Sequence, residues 1–262
     1  MEPVICIEMI YPNDDFLTRI DKVYQHGFKN IEFWGWRDKD VDAFKQKLTE
    51  KGMKVANFSA QRVGNLVDKE SHQILFDDFK DALVAAEELN AKTLMVLTNE
   101  LDQDGFVVNP FDNLSYEEKK ENTIVALKKM LEMAPNDLTI VVESLNTVKD
   151  HMGYFLYDID EAVKLVKEIG DKRLKVLFDL YHQGMMGDDL IDLIERNIDY
   201  VGYFHVADFP GRGEPGTGKG DWKTILSKIK QKGYTGGIGF EYQPAGDDDK
   251  SLVAIRSLWD SL

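Results

Sequence analysis

The chain predicts a single (β/α)₈ barrel, a TIM barrel, occupying residues 1–262. Three observations lead there. Strand-length apolar runs alternate with amphipathic helical stretches from end to end, and no hairpin signal joins the runs. The 262 residues match the roughly 250 that eight strand–helix units need. Four metal-type side chains, Glu143, Asp179, His205 and Glu241, each close an apolar run at intervals of 36, 26 and 36 residues. Alternation of this kind gives a parallel sheet with right-handed crossovers.

In order, Val4 to Ile10 reads as the first strand, and Asp15 to His26 as a helix stopped by Gly27. Asn30 to Trp34 follows as a strand, then a helix from Val41 to Lys51 with Gly52 as its C-terminal stop. Lys54 to Phe58 is a third strand, Ser71 to Leu89 a long helix, and Thr93 to Leu97 a fourth strand. Ser115, with Glu118 three positions on, forms a capping box that opens a helix to about Met133. The last four strands run from Leu138 to Glu143, Leu174 to Asp179, Tyr200 to His205 and Gly237 to Glu241. Helices are expected near Asp158 to Ile169, Asp188 to Arg196, Asp221 to Lys232 and Asp249 to Leu262. An open doubly wound sheet is the rival. It calls for a Gly-rich turn after strand one, where this chain has Tyr11-Pro12-Asn13-Asp14.

Composition narrows the function. A formal net charge of −15 argues against nucleic acid, whose phosphates need clustered Lys and Arg. No stretch of about 18 uninterrupted apolar residues suggests a membrane span. The acidic start, Met1-Glu2-Pro3, is not a signal peptide. A lone cysteine, Cys6, precludes an internal disulfide and fits a cytoplasmic protein.

In a barrel every strand sends its C-terminal end to one mouth, so the four metal-type residues should converge. Three carboxylates and an imidazole in one cavity repel one another unless a cation holds them. Taken singly, each has an ordinary reading: Glu143 and Glu241 as caps or ion pairs, His205 as a core histidine. Asp179-Leu180-Tyr181-His182 adds His182 at the same mouth. Three long loops, Thr98 to Leu114, Ser144 to Tyr157 and Asp208 to Gly220, follow strand C-termini on that face. Gly213 to Lys219 fits Gly-x-x-x-x-Gly-Lys, but Gly220 stands where a phosphate-binding loop needs Ser or Thr. The segment reads instead as a flexible lid carrying Arg212 over the mouth, or as a surface loop where Arg212 pairs with Glu214 or Asp208. Glu32, Trp34, Trp36 and Phe58 end early strands, and are candidates for lining a substrate pocket or for packing.

These pieces together resemble the xylose-isomerase-like sugar isomerase/epimerase family. The likeness rests on Glu143-Ser144-Leu145-Asn146, Asp179-Leu180-Tyr181-His182, His205-Val206-Ala207-Asp208, Arg212-Gly213-Glu214-Pro215-Gly216-Thr217-Gly218 and Gly239-Phe240-Glu241-Tyr242. The Arg-Gly-Glu-Pro-Gly-Thr-Gly run looks most like hydroxypyruvate isomerases. His205 departs from that subgroup, which has Gln there, and matches ketose 3-epimerases. The resemblance implies one divalent metal ion, Mn²⁺ or Mg²⁺ with Co²⁺ as a further fit, held by Glu143, Asp179, His205 and Glu241. It implies enediolate chemistry on a hydroxypyruvate-type keto acid or a free ketose, with Glu143 and Glu241 as catalytic proton donor and acceptor. His182 and Arg212 would bind substrate, with Glu32 and Trp34 as pocket residues, and the subunits would form a homodimer or tetramer.

Three rivals remain at this stage. A metal-dependent dehydratase of small polyols begins with the same proton abstraction. A phosphodiesterase resembling the endonuclease IV group needs histidines after early strands, where this chain has Asn57-Phe58-Ser59 and Leu97-Thr98-Asn99. A non-catalytic binding protein would be expected to lack one of the paired carboxylates.

Overall fold

In the computed structural model, which describes residues 1–262, eight parallel strands close into a barrel in sequence order. The strands are β1 (Glu2–Cys6), β2 (Asn30–Phe33), β3 (Lys54–Ser59), β4 (Thr93–Val96), β5 (Thr139–Glu143), β6 (Leu174–Asp179), β7 (Val201–Val206) and β8 (Gly237–Phe240). Pairing of β1 with β8, Val4 opposite Gly239, completes the ring. Helices α1 (Phe16–Gln25), α2 (Val41–Lys51), α3 (His72–Leu89), α4 (Tyr116–Met133) and α5 (Ile159–Ile169) follow the first five strands. Then come α6 (Leu180–Met186), α7 (Leu190–Asn197), α8 (Trp222–Gln231) and α9 (Asp248–Asp260). No helix is long and apolar enough to cross a membrane.

Local chemistry sets the boundaries. Ser115 and Glu118 form the reciprocal capping box that starts α4, and Gly52 ends α2 with φ of 60°. Two elements differ from the sequence reading. β1 ends at Cys6 although Ile7 and Ile10 are buried; Ile7 N–H still donates to the Glu32 carbonyl, while the carbonyls of Ile7 and Glu8 accept from the Arg19 guanidinium. The short helix α6 stands where a loop was expected. Asp179 starts it by accepting the N–H groups of Tyr181 and His182.

Period-two alternation decides what fills the barrel. Val4, Met95, Val141, Leu177 and Tyr203 make an apolar plug inside it. Outward residues such as Ile238 and Phe240 join the larger core beneath the helices. On β8 the inward positions are Gly237 and Gly239, and Glu241 follows them at the mouth. A Cβ at 237 would strike the Tyr203 ring, and one at 239 the Glu32 carboxylate.

Candidate active site

Each of the four ligand candidates is delivered by a strand end. Glu143 closes β5, Asp179 closes β6, His205 lies in the last turn of β7 and Glu241 follows β8. All are buried. The His205 ring Nδ1 is 3.3 Å from Glu143 Oε1, 3.8 Å from Glu241 Oε2 and 3.9 Å from Asp179 Oδ2. Ligand atoms of Asp179, His205 and Glu241 all lie within 4.8 Å of one another, and so do those of Glu143, Asp179 and His182. The four predicted ligands thus meet in one place, with His182 as a fifth neighbour.

The surroundings differentiate the carboxyls. Burial pushes Glu143 up to about 7, despite its contact with His205, and pushes Asp179 up to about 6. Burial raises Glu241 as well, but Arg212, His205 and the Trp34 indole outweigh it and hold the group below its ordinary value. Trp34 Nε1 donates to Glu241 Oε1 at 2.5 Å, and Arg212 Nη2 donates to Oε2 at 2.5 Å. For His205, burial favours the neutral ring, yet the Glu32, Glu241 and Glu143 carboxylates keep it protonated well above its ordinary range.

A cavity of about 440 Å³ opens above this floor. Glu143, Glu241, His182, Arg212 and Trp34 line it, as do Arg62 and Lys149. Arg212 lines the cavity and is not in a surface pair with Glu214 or Asp208. Its backbone sits at φ of 58° and its guanidinium is bound to Glu241, with Nε buried and unpartnered. The Asp208 carboxylate gathers the N–H groups of Phe209, Gly216, Gly218 and Gly220, which ties the loop down. Glu32 is not in the cavity wall. It lies two residues before Trp34 and one inward position deeper, 3.3 Å from His205 Nε2. Phe58 stacks on Phe33 in the core, and Trp36 lies outside the cavity.

Sequence reasoning passed over the network behind His182. Asn146 Oδ1 accepts the backbone N–H of Lys149 and Asp150, which fixes the amide orientation. Its Nδ2 therefore donates, to Asp150 Oδ2 at 2.8 Å and to His182 Nδ1 at 2.7 Å. Tyr181 Oη donates to the same Asp150 oxygen. With Nδ1 accepting, neutral His182 carries its proton on Nε2, which is buried and has no partner. Burial, followed by Arg212, holds this ring well below the ordinary histidine value, so it stays neutral. Only the unusual string of polar residues after Glu143 hinted at this network.

Buried carboxylates converge on an imidazole at the C-terminal mouth of a parallel barrel, an arrangement that could hold a cation. Residues 20–258 match the family described as Xylose isomerase-like TIM barrel, and the chain belongs to it. It is 26% identical over 253 residues to the hydroxypyruvate isomerase of Escherichia coli K12, covering 94% of this chain and 95% of that one. A crystal structure from Brucella melitensis, described as an AP endonuclease of family 2, superposes with a TM-score of 0.89. The identity is 26%, and 98% of each chain is covered. The 3-keto-D-glucoside 4-epimerase of E. coli shares the fold at a TM-score of 0.83 and 20% identity, over 98% of this chain and 99% of that one.

Proposed function

We propose that the protein is a divalent-metal-dependent isomerase of a small, hydroxypyruvate-type keto acid, working through an enediolate. The observation that carries this reading is the convergence of Glu143, Asp179, His205 and Glu241 beneath a cavity lined by Arg62, Lys149, His182 and Arg212, with the carboxylates of Asp102, Asp104 and Asp150 also in its wall. Three carboxylate oxygens and one imidazole nitrogen suit Mn²⁺ or Mg²⁺, and Co²⁺ also fits. Glu143, Asp179, Glu241 and the Nδ1 of His205 would hold the ion. His182 is left out of the ligand set because its Nε2 bears a proton and has no lone pair to give. When bound, the ion polarises the substrate carbonyl and stabilises the negative charge of the enediolate.

The protein's own groups account for the proton transfers. Glu241, held ionised by Trp34 and Arg212, takes the proton from the carbon beside the carbonyl. Glu143, likewise ionised when it holds the ion, would take the substrate's hydroxyl proton and return it to the neighbouring carbon, while Glu241 would pass its own to the former carbonyl oxygen. His182 Nε2–H donates to the developing oxyanion, and Arg212 Nε offers a further donor. Arg62 makes no side-chain hydrogen bond or ion pair within the protein, and the Lys149 ammonium bonds only the Pro210 carbonyl. Two cations on the cavity wall without carboxylate partners favour a substrate bearing a carboxylate over a neutral ketose. Epimerisation of a free ketose is the second reading, favoured by an imidazole at position 205.

Proton exchange tests the proposal. The metal-depleted protein is reloaded with Mg²⁺ in D₂O and given hydroxypyruvate, longer sugar-derived keto acids and free ketoses, with NMR as readout. Deuterium entering a carbon next to the carbonyl, and lost with chelator, is the expected result. Absence of exchange in every compound with metal bound refutes the enediolate reading and leaves dehydration or phosphoester cleavage.

A further inference from the structure

Glu32 poses a separate question. Its carboxylate is 2% exposed inside the barrel, and the polar groups that face it are the His205 ring and the Tyr203 hydroxyl. A buried carboxylate without compensation is costly, and nothing in the fold requires an acid there. Space for it exists only because β8 carries Gly239 at the facing inward position. Its one cationic neighbour is His205, whose Nε2 stands 3.3 Å from Glu32 Oε1 while Nδ1 faces Glu143, Asp179 and Glu241. Tyr203, which precedes His205 on the same inward face, stands edge-on to the ring at 5.6 Å and limits its rotation.

We propose that Glu32 is a positioning residue for His205: it accepts the Nε2–H and so leaves the Nδ1 lone pair free for the cation. Gly239 is the partner position that admits it. A ring whose far nitrogen donates to a carboxylate has its tautomer and its orientation fixed, and is the more basic ligand for it. Without Glu32 the ring can carry its proton on either nitrogen, and half of the orientations present an N–H to the ion. This inference rests on the metal reading given above, and goes beyond it by assigning a role to a residue that touches neither ion nor substrate.

The test uses the full chain, stripped of metal. Calorimetric titration with Mn²⁺ compares wild type, Glu32→Gln and Tyr203→Phe. NMR of the Mg²⁺-loaded, ¹⁵N-histidine-labelled protein follows the His205 ring proton. Expected are an exchange-protected Nε2 proton in wild type and its loss or broadening in E32Q. Mn²⁺ affinity should fall about 10- to 100-fold in E32Q, and by less than about threefold in Y203F. An E32Q protein that keeps wild-type Mn²⁺ affinity but binds substrate poorly overturns the inference, because Glu32 then serves the substrate. So does a wild-type ring with its proton on Nδ1, a readout that holds even where E32Q fails to fold. A wild type that binds no divalent ion overturns the proposed function itself, whereas wild-type binding with an indifferent E32Q overturns this inference alone.

Discussion

Asn146→Asp replaces one NH₂ by an oxygen and changes almost no volume, yet it should disable His182. In the wild type, Asn146 Nδ2 donates to His182 Nδ1 at 2.7 Å, so the ring proton sits on Nε2, at the floor of the cavity and 3.5 Å from Asp179 Oδ2. An aspartate can only accept, and it draws the ring proton to Nδ1. The substrate oxygen then meets a lone pair in place of a donor. A hydrogen bond from a buried N–H to a charged oxygen is worth about 1.5–3 kcal/mol. Loss of one oxyanion donor typically costs about 10²–10³ in kcat. The expected result is therefore a fall of kcat by about two to three decades with Mn²⁺ affinity unchanged, since the ligand atoms do not move. Steady-state kinetics on hydroxypyruvate and calorimetric metal titration measure the two quantities. The double variant with His182→Ala should be no slower than H182A alone, because both changes remove one donor. An N146D enzyme keeping more than about a tenth of wild-type kcat would refute the tautomer argument.

Trp34→Phe removes the donor on Glu241 Oε1 and should move the acidic limb of the kcat/KM profile to higher pH, since that hydrogen bond helps keep Glu241 ionised. Arg62→Met should raise KM for a keto acid by about tenfold and leave a neutral ketose unaffected, the loss expected for one exposed charge-assisted contact. Metal affinity should strengthen as pH rises through 6 and 7 and on above, because Asp179 (about 6) and Glu143 (about 7) must shed protons to bind and His205, held protonated well above its ordinary range, must give up its Nδ1 proton. Calorimetry in buffers of different ionisation enthalpy reads the released protons. Chelator treatment should lower Tm by about 5–10 °C relative to protein at a hundredfold excess of metal over Kd, the equivalent of about 2.7 kcal/mol. An unchanged Tm would mean no ion binds the folded state.

Much of the fold was legible because a barrel repeats one local pattern. Apolar runs, capping residues and glycine stops each act within a few residues, and a quartet such as Glu143, Asp179, His205 and Glu241 marks strand ends directly. Helix α6 was hidden because Gln183-Gly184-Met185-Met186-Gly187 reads as loop. Gly184 is there to admit the Phe209 ring, a contact from a distant loop. Depth inside the barrel was equally invisible. Glu32 and Trp34 alternate inward on one strand, and the register that puts Trp34 in the cavity and Glu32 beneath it comes from neighbouring strands. The Asn146 and Asp208 networks likewise join residues whose pairing no periodicity records.

Charge ties these parts together. Glu32, Glu143, Asp179 and Glu241 bring four buried carboxyls into one region, against Arg212 and a protonated His205. Full ionisation would leave two negative charges in a poorly solvated space, and burial answers by raising Glu143 and Asp179. A divalent ion that displaces the Nδ1 proton of His205 leaves one negative charge in that space. A single proton carried by Glu143 or Glu241 removes it. The site is thus neutral when one of the two carboxyls holds the transferred proton, and moving that proton from one to the other leaves the total unchanged. Glu32 belongs in this count although it touches no substrate: take it away, and His205 has less reason to keep the Nε2 proton that directs its lone pair to the ion.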